Sequence, residues 1–373
     1  MNKNPRQKIS ETLTGDVLEI GPGSHPFPTA QNARVKYVDR SVEGGRDANW
    51  PELSGQPHGI DADFDLNLDS DALSPLAEGS FDCVVASHVL EHLANPVRVI
   101  QELERVLRPG GKLVLILPDR TKTFDSMRTP TDLVHVLDEF HRGVTAVSDE
   151  HIIEFCQAIY EQPSFHPEQV REWHNPAKLD DRLLALHRRR SIHVHCWSPE
   201  EFAILIAGLL GQGLISFTLH DIYFDDDLPD SGEFGLVLER SRSNDLPKNL
   251  CTWFVDKWVS LLMSIPERNP RRLLEFHKAL NREASQLHIS NNDFYSLSTR
   301  LLEQYGTYEA NTERMKHEID CMKDETGCMK IEINELKDTI TQRDKQLHAM
   351  SNSTSWRCTA PLRKVIQAFR RFS

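Results

Sequence analysis

Four residues near the start of the chain have the types and spacing to hold a nucleotide-containing ligand: Glu19, Gly21, Gly23 and Asp39. An apolar run from Val17 ends at Glu19-Ile20, and two glycines follow at a tight turn. Glycine there lets the backbone approach a ligand without a Cβ clash. Sixteen residues after Gly23, a second apolar run, Val35 to Val38, ends in Asp39, an acid placed to grip ribose hydroxyls. As a dinucleotide fingerprint the run is incomplete, because Pro26 stands in place of the third glycine. His88 and His92 lie one helical turn apart and can share a face. An imidazole suits proton removal near pH 7. Farther on, His193 and His195 alternate on an extended stretch that would turn both rings to one side. His135, His141, Asp149, Glu150 and His151 lie upstream and could join them around a metal, but the spacing matches no closed zinc motif. The expectation is histidines that bind an acceptor, with no metal. Arg120, Lys122, Arg128 and the run Arg188-Arg189-Arg190 could meet an anionic acceptor.

The elements that must position these residues alternate between strand and helix. Strand-like runs are Val17–Ile20, Val35–Val38, Phe81–Ala86 and Lys112–Leu117. The stretch 95–107 carries Val97, Val99, Ile100, Leu103, Val106 and Leu107 on a helical period, with Pro96 in the first turn where it is tolerated. Pro109-Gly110-Gly111 then turns the chain into the next strand. Ser198-Pro199-Glu200-Glu201 reads as a helix start, with a serine cap, proline at the first position and an acidic first turn. Leu214–Phe224 and Phe234–Glu239 read as two further strands. Such alternation predicts an α/β fold, doubly wound around a mostly parallel sheet.

The run Phe81 to Leu93, with Asp82, Ser87, His88, Glu91 and His92, and the run Leu107-Arg108-Pro109-Gly110-Gly111-Lys112-Leu113-Val114 complete a pattern with the glycine turn. Together they resemble the class I methyltransferases that use S-adenosylmethionine, over roughly residues 10 to 240. The resemblance implies a seven-stranded Rossmann-like sheet closed by an antiparallel pair. It implies that Glu19, Gly21 and Gly23 shape the turn around the amino acid part of the cofactor and that Asp39 binds its ribose. Asp65 would lie by the adenine, and Ser87 and His88 would face the methionine end. His92 and His88 are the candidates for catalysis. The long segment 118–196 occupies the place of an insertion that covers the pocket and selects the acceptor, with His193, His195 and Arg128 as acceptor-binding candidates.

The remaining chain reads as separate pieces. Residues 241–300 look helical. From Leu301 to Met350 a 3–4 spacing of apolar residues predicts a coiled coil and hence a homo-oligomer. In the tail, 351–373, the run Ser353-Thr354-Ser355-Trp356-Arg357 to Pro361-Leu362-Arg363 is similar to a C-terminal segment of bacterial O-antigen glycosyltransferases. Leu362, Val365, Ile366 and Phe369, with Arg363, Lys364, Arg370 and Arg371 nearby, would form a short basic amphipathic helix against a membrane surface or a partner such as a glycosyltransferase.

Bulk properties narrow the function. A hydrophobic content of 39% supports a real core, and a net charge of −13 argues against nonspecific nucleic-acid binding. Seven cysteines include no C-x-x-C pair and read as reduced thiols of a cytoplasmic protein. The first fifteen residues lack the apolar region of a signal peptide, and no run is apolar enough to span a membrane. The expected activity is O-methylation of a saccharide or lipid-linked glycan during surface polysaccharide synthesis, at the inner membrane face. Methylation of a small metabolite or lipid, or a silent scaffold that recruits glycosyltransferases, stand as alternatives.

Overall fold

In a computed structural model, the chain is described over residues 5–42, 59–162, 172–224, 232–242, 250–263, 275–280 and 336–346, with Arg272 and Arg282. The chain divides into two compact units, residues 1–298 and 299–373.

The first unit is built on a seven-stranded sheet of order β3-β2-β1-β4-β5-β7-β6. Its strands are β1 (Asp16–Ile20), β2 (Arg34–Asp39), β3 (Phe64–Asp65), β4 (Phe81–Ser87), β5 (Leu107–Pro118), β6 (Phe217–Phe224) and β7 (Glu233–Arg240). Only β7 runs against its neighbours β5 and β6; the other pairs are parallel. The expected antiparallel closure is therefore present. Strand β5 starts earlier than its sequence suggests, at Leu107, and takes Pro109-Gly110-Gly111 into an irregular stretch of the ladder beside Phe81 and Cys83. The two-residue β3 has too little pattern to be foreseen.

Central strands β1 and β4 are buried almost throughout, as expected of strands covered on both faces. Val17, Cys83, Val85, Val114, Ile116 and Val237 join one core cluster with Ile9 and Leu13. Ile9 comes from helix α1 (Pro5–Ser10). The alternate residues Leu18, Val84, Leu113 and Leu115 are buried on the other face.

Helix α2 (Pro96–Val106) packs on β5 and begins as its sequence predicts: the Asn95 side chain accepts from Arg98 N–H (3.0 Å), and Pro96 takes the first turn. In the insertion stand α3 (Leu133–Arg142), α4 (Asp149–Glu161) and α5 (Asp181–Arg190). Ile152, Phe155 and Ile159 of α4 form a small core with Val147, Ile192, Val194 and Ala94, and Leu184 of α5 packs against it. Helix α6 (Pro199–Gly211) carries the full capping box of Ser198 and Glu201 and is buried all round. Phe202 meets Phe234 of β7 on one side, Gly208 lies against Leu133 of α3, and α7 (Leu250–Met263) packs on α6 and β6. Helix α7 is thus a covering layer of the sheet unit.

In the second unit, residues 336–346 form a helix exposed along its whole length. Its expected seam residues Leu336 and Ile340 are 55% and 58% exposed. The rest of the coiled-coil segment and the tail lie outside the described residues. Among the described residues, no helix is long and apolar enough to cross a membrane.

Candidate active site

Parallel register brings the carboxyl ends of β1, β2 and β4 level, with Ile20 opposite both Val38 and Ala86. Here the strand order reverses direction, the place where open α/β sheets bind ligands. A cavity of about 250 Å³ opens at this point. The strand ends contribute Gly21, Asp39 and His88 to its wall, the segment after β3 contributes Asn67 and Asp69, and the insertion contributes Thr145 to Val147 and Ser191-Ile192.

The glycine turn is locked from beneath. Glu19 is buried, and its Oε1 accepts the Phe27 N–H (2.7 Å), closing the loop. Burial pushes the Glu19 carboxyl up to about 7, against the Phe27 hydrogen bond and Arg6. Gly21 N–H donates to Val38 O (2.8 Å), which ties the turn to β2. Its φ of +63° favours glycine, and a Cβ there would meet Val89 Cγ2 at 3.1 Å. Gly23 also has positive φ but lies off the cavity wall. Asp39 lines the cavity, its Oδ1 accepting the N–H of Arg40 (2.8 Å).

Two expected contacts shift by a few residues. The Asp65 carboxylate is exposed, accepts the Ser41 N–H (2.7 Å) and lies outside the cavity. Asn67 and Asp69 stand on the wall instead, Asp69 anchored by the Ala94 N–H (2.8 Å). Ser87, the last residue of β4, is likewise off the wall, and His88 takes its place. Arg40, which the sequence did not mark, donates to Arg189 O (2.8 Å) and Ser191 Oγ and so fastens the insertion to the end of β2.

His88 sits at φ +56°, an uncommon conformation for histidine. Its Nε2 bonds to Glu233 Oε2 (3.1 Å), and its Nδ1 lies 3.4 Å from Glu91 Oε1. Glu233 is itself gripped by Arg6, through Nε (2.7 Å) and Nη2, and by the Tyr223 hydroxyl (2.9 Å). Burial works against the charged imidazole, but the two carboxylates outweigh it and raise His88 to about 9. Burial likewise opposes ionisation of Glu233, yet its partners hold it down at about 2. His88 is therefore an imidazolium near neutral pH and has no lone pair with which to take a proton. Arg6, Tyr223 and Glu233 come from the two ends of the domain, and no local pattern announces them.

His92 has the complementary character. It lines the cavity, and its Nδ1–H donates to Ile192 O (2.9 Å), which leaves Nε2 as the acceptor nitrogen, 3.8 Å from Glu91 Oε1. Burial lowers its pKa, so the ring is neutral at pH 7. His193 packs edge-on against it, centroids 4.9 Å apart, and is held by Asp125 Oδ2 (2.6 Å). Neither His193 nor Arg128 lies on the cavity wall. The Arg128 side chain is only 2% exposed and fully engaged: it donates to Asp125 (2.7 Å), Glu154 (2.6 Å) and the carbonyls of His193 (2.8 Å) and Val194 (3.1 Å). It props the insertion rather than meeting an acceptor. Arg120 is similarly spent in a two-pronged pair with Glu201 (2.7 and 2.8 Å).

His193 and His195 do not share a face. The N–H groups of Val194 and His195 both donate to Glu91 O (2.7 and 3.0 Å), and Arg128 pulls on the neighbouring carbonyls, so the stretch loses the regular pleat. His195 turns away into a separate cluster and stacks on Trp197 (5.4 Å).

Residues 18–115 match the family model of the methyltransferase domain. That segment is similar to methyltransferase domains, whose methyl donor is S-adenosylmethionine. It holds the glycine turn, Asp39, Asp69, His88 and His92, and the close backbone approach at Gly21 beside the Asp39 carboxylate suits such a cofactor. Among similar proteins, a ubiquinone biosynthesis O-methyltransferase of Xanthomonas oryzae pv. oryzae is 36% identical over 108 residues, 28% of this chain and 44% of its own length. An uncharacterized methyltransferase of Mycolicibacterium gilvum is 51% identical over 100 residues, 26% of this chain and 37% of its own. The chain thus spans less than half the length of these relatives. A solved SAM-dependent methyltransferase from Methanosarcina mazei aligns over 65% of this chain and 99% of its own, with 18% identity and a TM-score of 0.33.

Proposed function

We propose that the whole protein is an S-adenosylmethionine-dependent O-methyltransferase whose acceptor is a hydroxyl group, most concretely on a saccharide of a surface polysaccharide. The observation that carries the hydroxyl is His92, a neutral imidazole that lines the cavity, with its Nδ1–H committed to Ile192 and Nε2 left as an acceptor 3.8 Å from Glu91 Oε1. Asp39 and Asn67 would hold the ribose side of the cofactor, and the Gly21 turn its amino acid end. When bound, the cofactor supplies an electrophilic methyl group on a sulfonium. His92 Nε2 would take the hydroxyl proton as the oxygen attacks, and the His88 imidazolium would provide fixed positive charge at the strand end.

Relatives named as O-methyltransferases support oxygen as the acceptor atom. The saccharide rests on the resemblance of the tail, together with the coiled-coil spacing and the histidine-rich insertion. The exposed seam residues Leu336 and Ile340 favour pairing of two chains through 301–350. The basic tail would then bring the enzyme to the inner membrane face or to a glycosyltransferase.

Calorimetric titration with S-adenosylmethionine and its demethylated product tests the reading, beside Asp39→Ala. Micromolar binding, weakened about tenfold or more in the variant, is the expected outcome. No binding of either ligand would overturn it. Labelled methyl transfer to oligosaccharides and to hydroxylated aromatics then decides the acceptor class.

A further inference from the structure

The insertion holds a second constellation away from the cavity wall. Helix α3 presents His135 and, one turn on, Glu139; α4 presents His151 from its first turn; the stretch before α6 presents His195. One ligand atom from each of the four lies within 4.8 Å of the others. His135 Nε2 and His151 Nε2 are 3.0 Å apart, and each is 3.4 Å from Glu139 Oε1. His195 Nε2 is 3.4 Å from Glu139 Oε2. Four donors at the corners of a tetrahedron around zinc, with bonds of about 2.0–2.1 Å, stand roughly 3.4 Å from one another.

Hydrogen bonding accounts for only part of the arrangement: it joins His135 to His151 and to Glu139 Oε1, but leaves His195 Nε2 and Glu139 Oε2 without partners. His195 is wholly buried; its ring lies by the Leu93 carbonyl, and its Nε2 has no hydrogen-bond partner. Glu139 Oε2 is buried and equally unpaired. Unpaired polar groups are costly to bury, and a carboxylate most of all. His151 Nδ1 lies 3.1 Å from Ser148 Oγ, a hydroxyl that can accept from Nδ1–H and so leave Nε2 for a metal.

We propose that His135, Glu139, His151 and His195 bind a divalent transition metal, with zinc the best match to four close nitrogen and oxygen donors. All four positions of the shell come from the protein, which makes the site structural rather than catalytic. Its ligands join α3, α4 and the stretch before α6. The wall residues Thr145, Ala146 and Val147 lie in the chain between Glu139 and His151, and Ser191-Ile192 just before His195. The metal therefore fixes the part of the insertion that shapes the cavity. The sequence reading expected no metal here because the ligands sit on three segments and Glu139 was not in view. The inference stands whether or not the proposed methyl transfer does.

The test uses the full chain, stripped with a chelator, then titrated with zinc or Co(II) and followed by elemental analysis, visible spectra and thermal melting. The expected result is about one equivalent of zinc per chain, the intense visible bands of tetrahedral Co(II), and a melting point raised by zinc. His135→Gln, at the exposed edge of the cluster, should keep the fold by circular dichroism but weaken zinc binding about tenfold or more and lose the Co(II) bands. Uptake of less than about a tenth of an equivalent by the wild type, or unchanged zinc affinity in a folded His135→Gln, would overturn the proposal.

Discussion

Replacing Glu233 by Gln should unlock the site from the strand side, and its cost can be worked out from the geometry. Glu233 is 4% exposed and takes hydrogen bonds from Arg6, Tyr223 and His88. Holding its carboxyl at about 2 against an ordinary 4.5 corresponds to roughly 3 kcal/mol of stability near neutral pH. Removing one member of a buried ion pair, which strands the others, typically costs about 3–5 kcal/mol. The two figures describe one interaction and are not additive, so about 3 kcal/mol is expected. The carboxylate contribution is present above pH 4.5 and is lost only as pH falls through about 2. The histidine contribution has the opposite sign: His88 is raised from 6.5 to about 9, so its share is full below 6.5 and fades as pH rises through 9. Because the His88 ring is 40% exposed, solvent screening reduces that share to about 1 kcal/mol. The gap between wild type and Glu233→Gln should therefore be widest between pH 4.5 and 6.5 and should narrow towards pH 9. Chemical denaturation at several pH values measures it, and the His88 ring proton resonance followed by NMR should titrate near 9 in the wild type and markedly lower in the variant. A pH-independent gap, a loss below about 0.5 kcal/mol, or a His88 that titrates alike in both proteins would refute the reasoning.

Two further outcomes follow from the insertion side of the cavity. His92→Gln should keep the fold and cofactor affinity but lower turnover by about 10²–10⁴-fold; since burial depresses the wild-type pKa, wild-type activity should be level above pH 6.5 and decline on the acid side, and the variant should lack that limb in a pH–rate profile. Arg128→Gln should cost about 3–5 kcal/mol in denaturant unfolding, because Asp125 would be left buried without its guanidinium, while the folded variant should bind an acceptor with an unchanged KM; a raised KM with intact stability would restore Arg128 to the acceptor site.

What the sequence made legible was local. The glycine turn, the acid at the end of β2 and the caps of α2 and α6 each lie within a few residues of what they act on, so residue type and spacing expose them. The parallel sheet followed from the same short-range alternation, and its limits appear where pattern is thin, as in two-residue β3. Segment 118–196 shows the opposite case. Its core draws on α4, on Leu184 of α5 and on the loop residues Val147, Ile192 and Val194, far apart in the chain, so its helices and their common packing do not stand out from the polar residues around them.

Charged and titratable residues were hardest to place, and for a physical reason. A side chain's type states what it can do, whereas its role depends on which partners the topology brings to it. Arg128 reads as a candidate for anion binding, yet Asp125, Glu154 and two carbonyls across 66 residues of chain consume its donors. His88 and His92 have the same side chain and lie one turn apart, but end in opposite protonation states. Glu233, 145 residues away, charges the first, while burial keeps the second neutral against the pull of Glu91 and the Ile192 carbonyl. The division of labour between a cation and a base at this cavity is therefore a property of the sheet order. That order sets β7 beside β5, and so carries Glu233 to the end of the strand from which both histidines emerge.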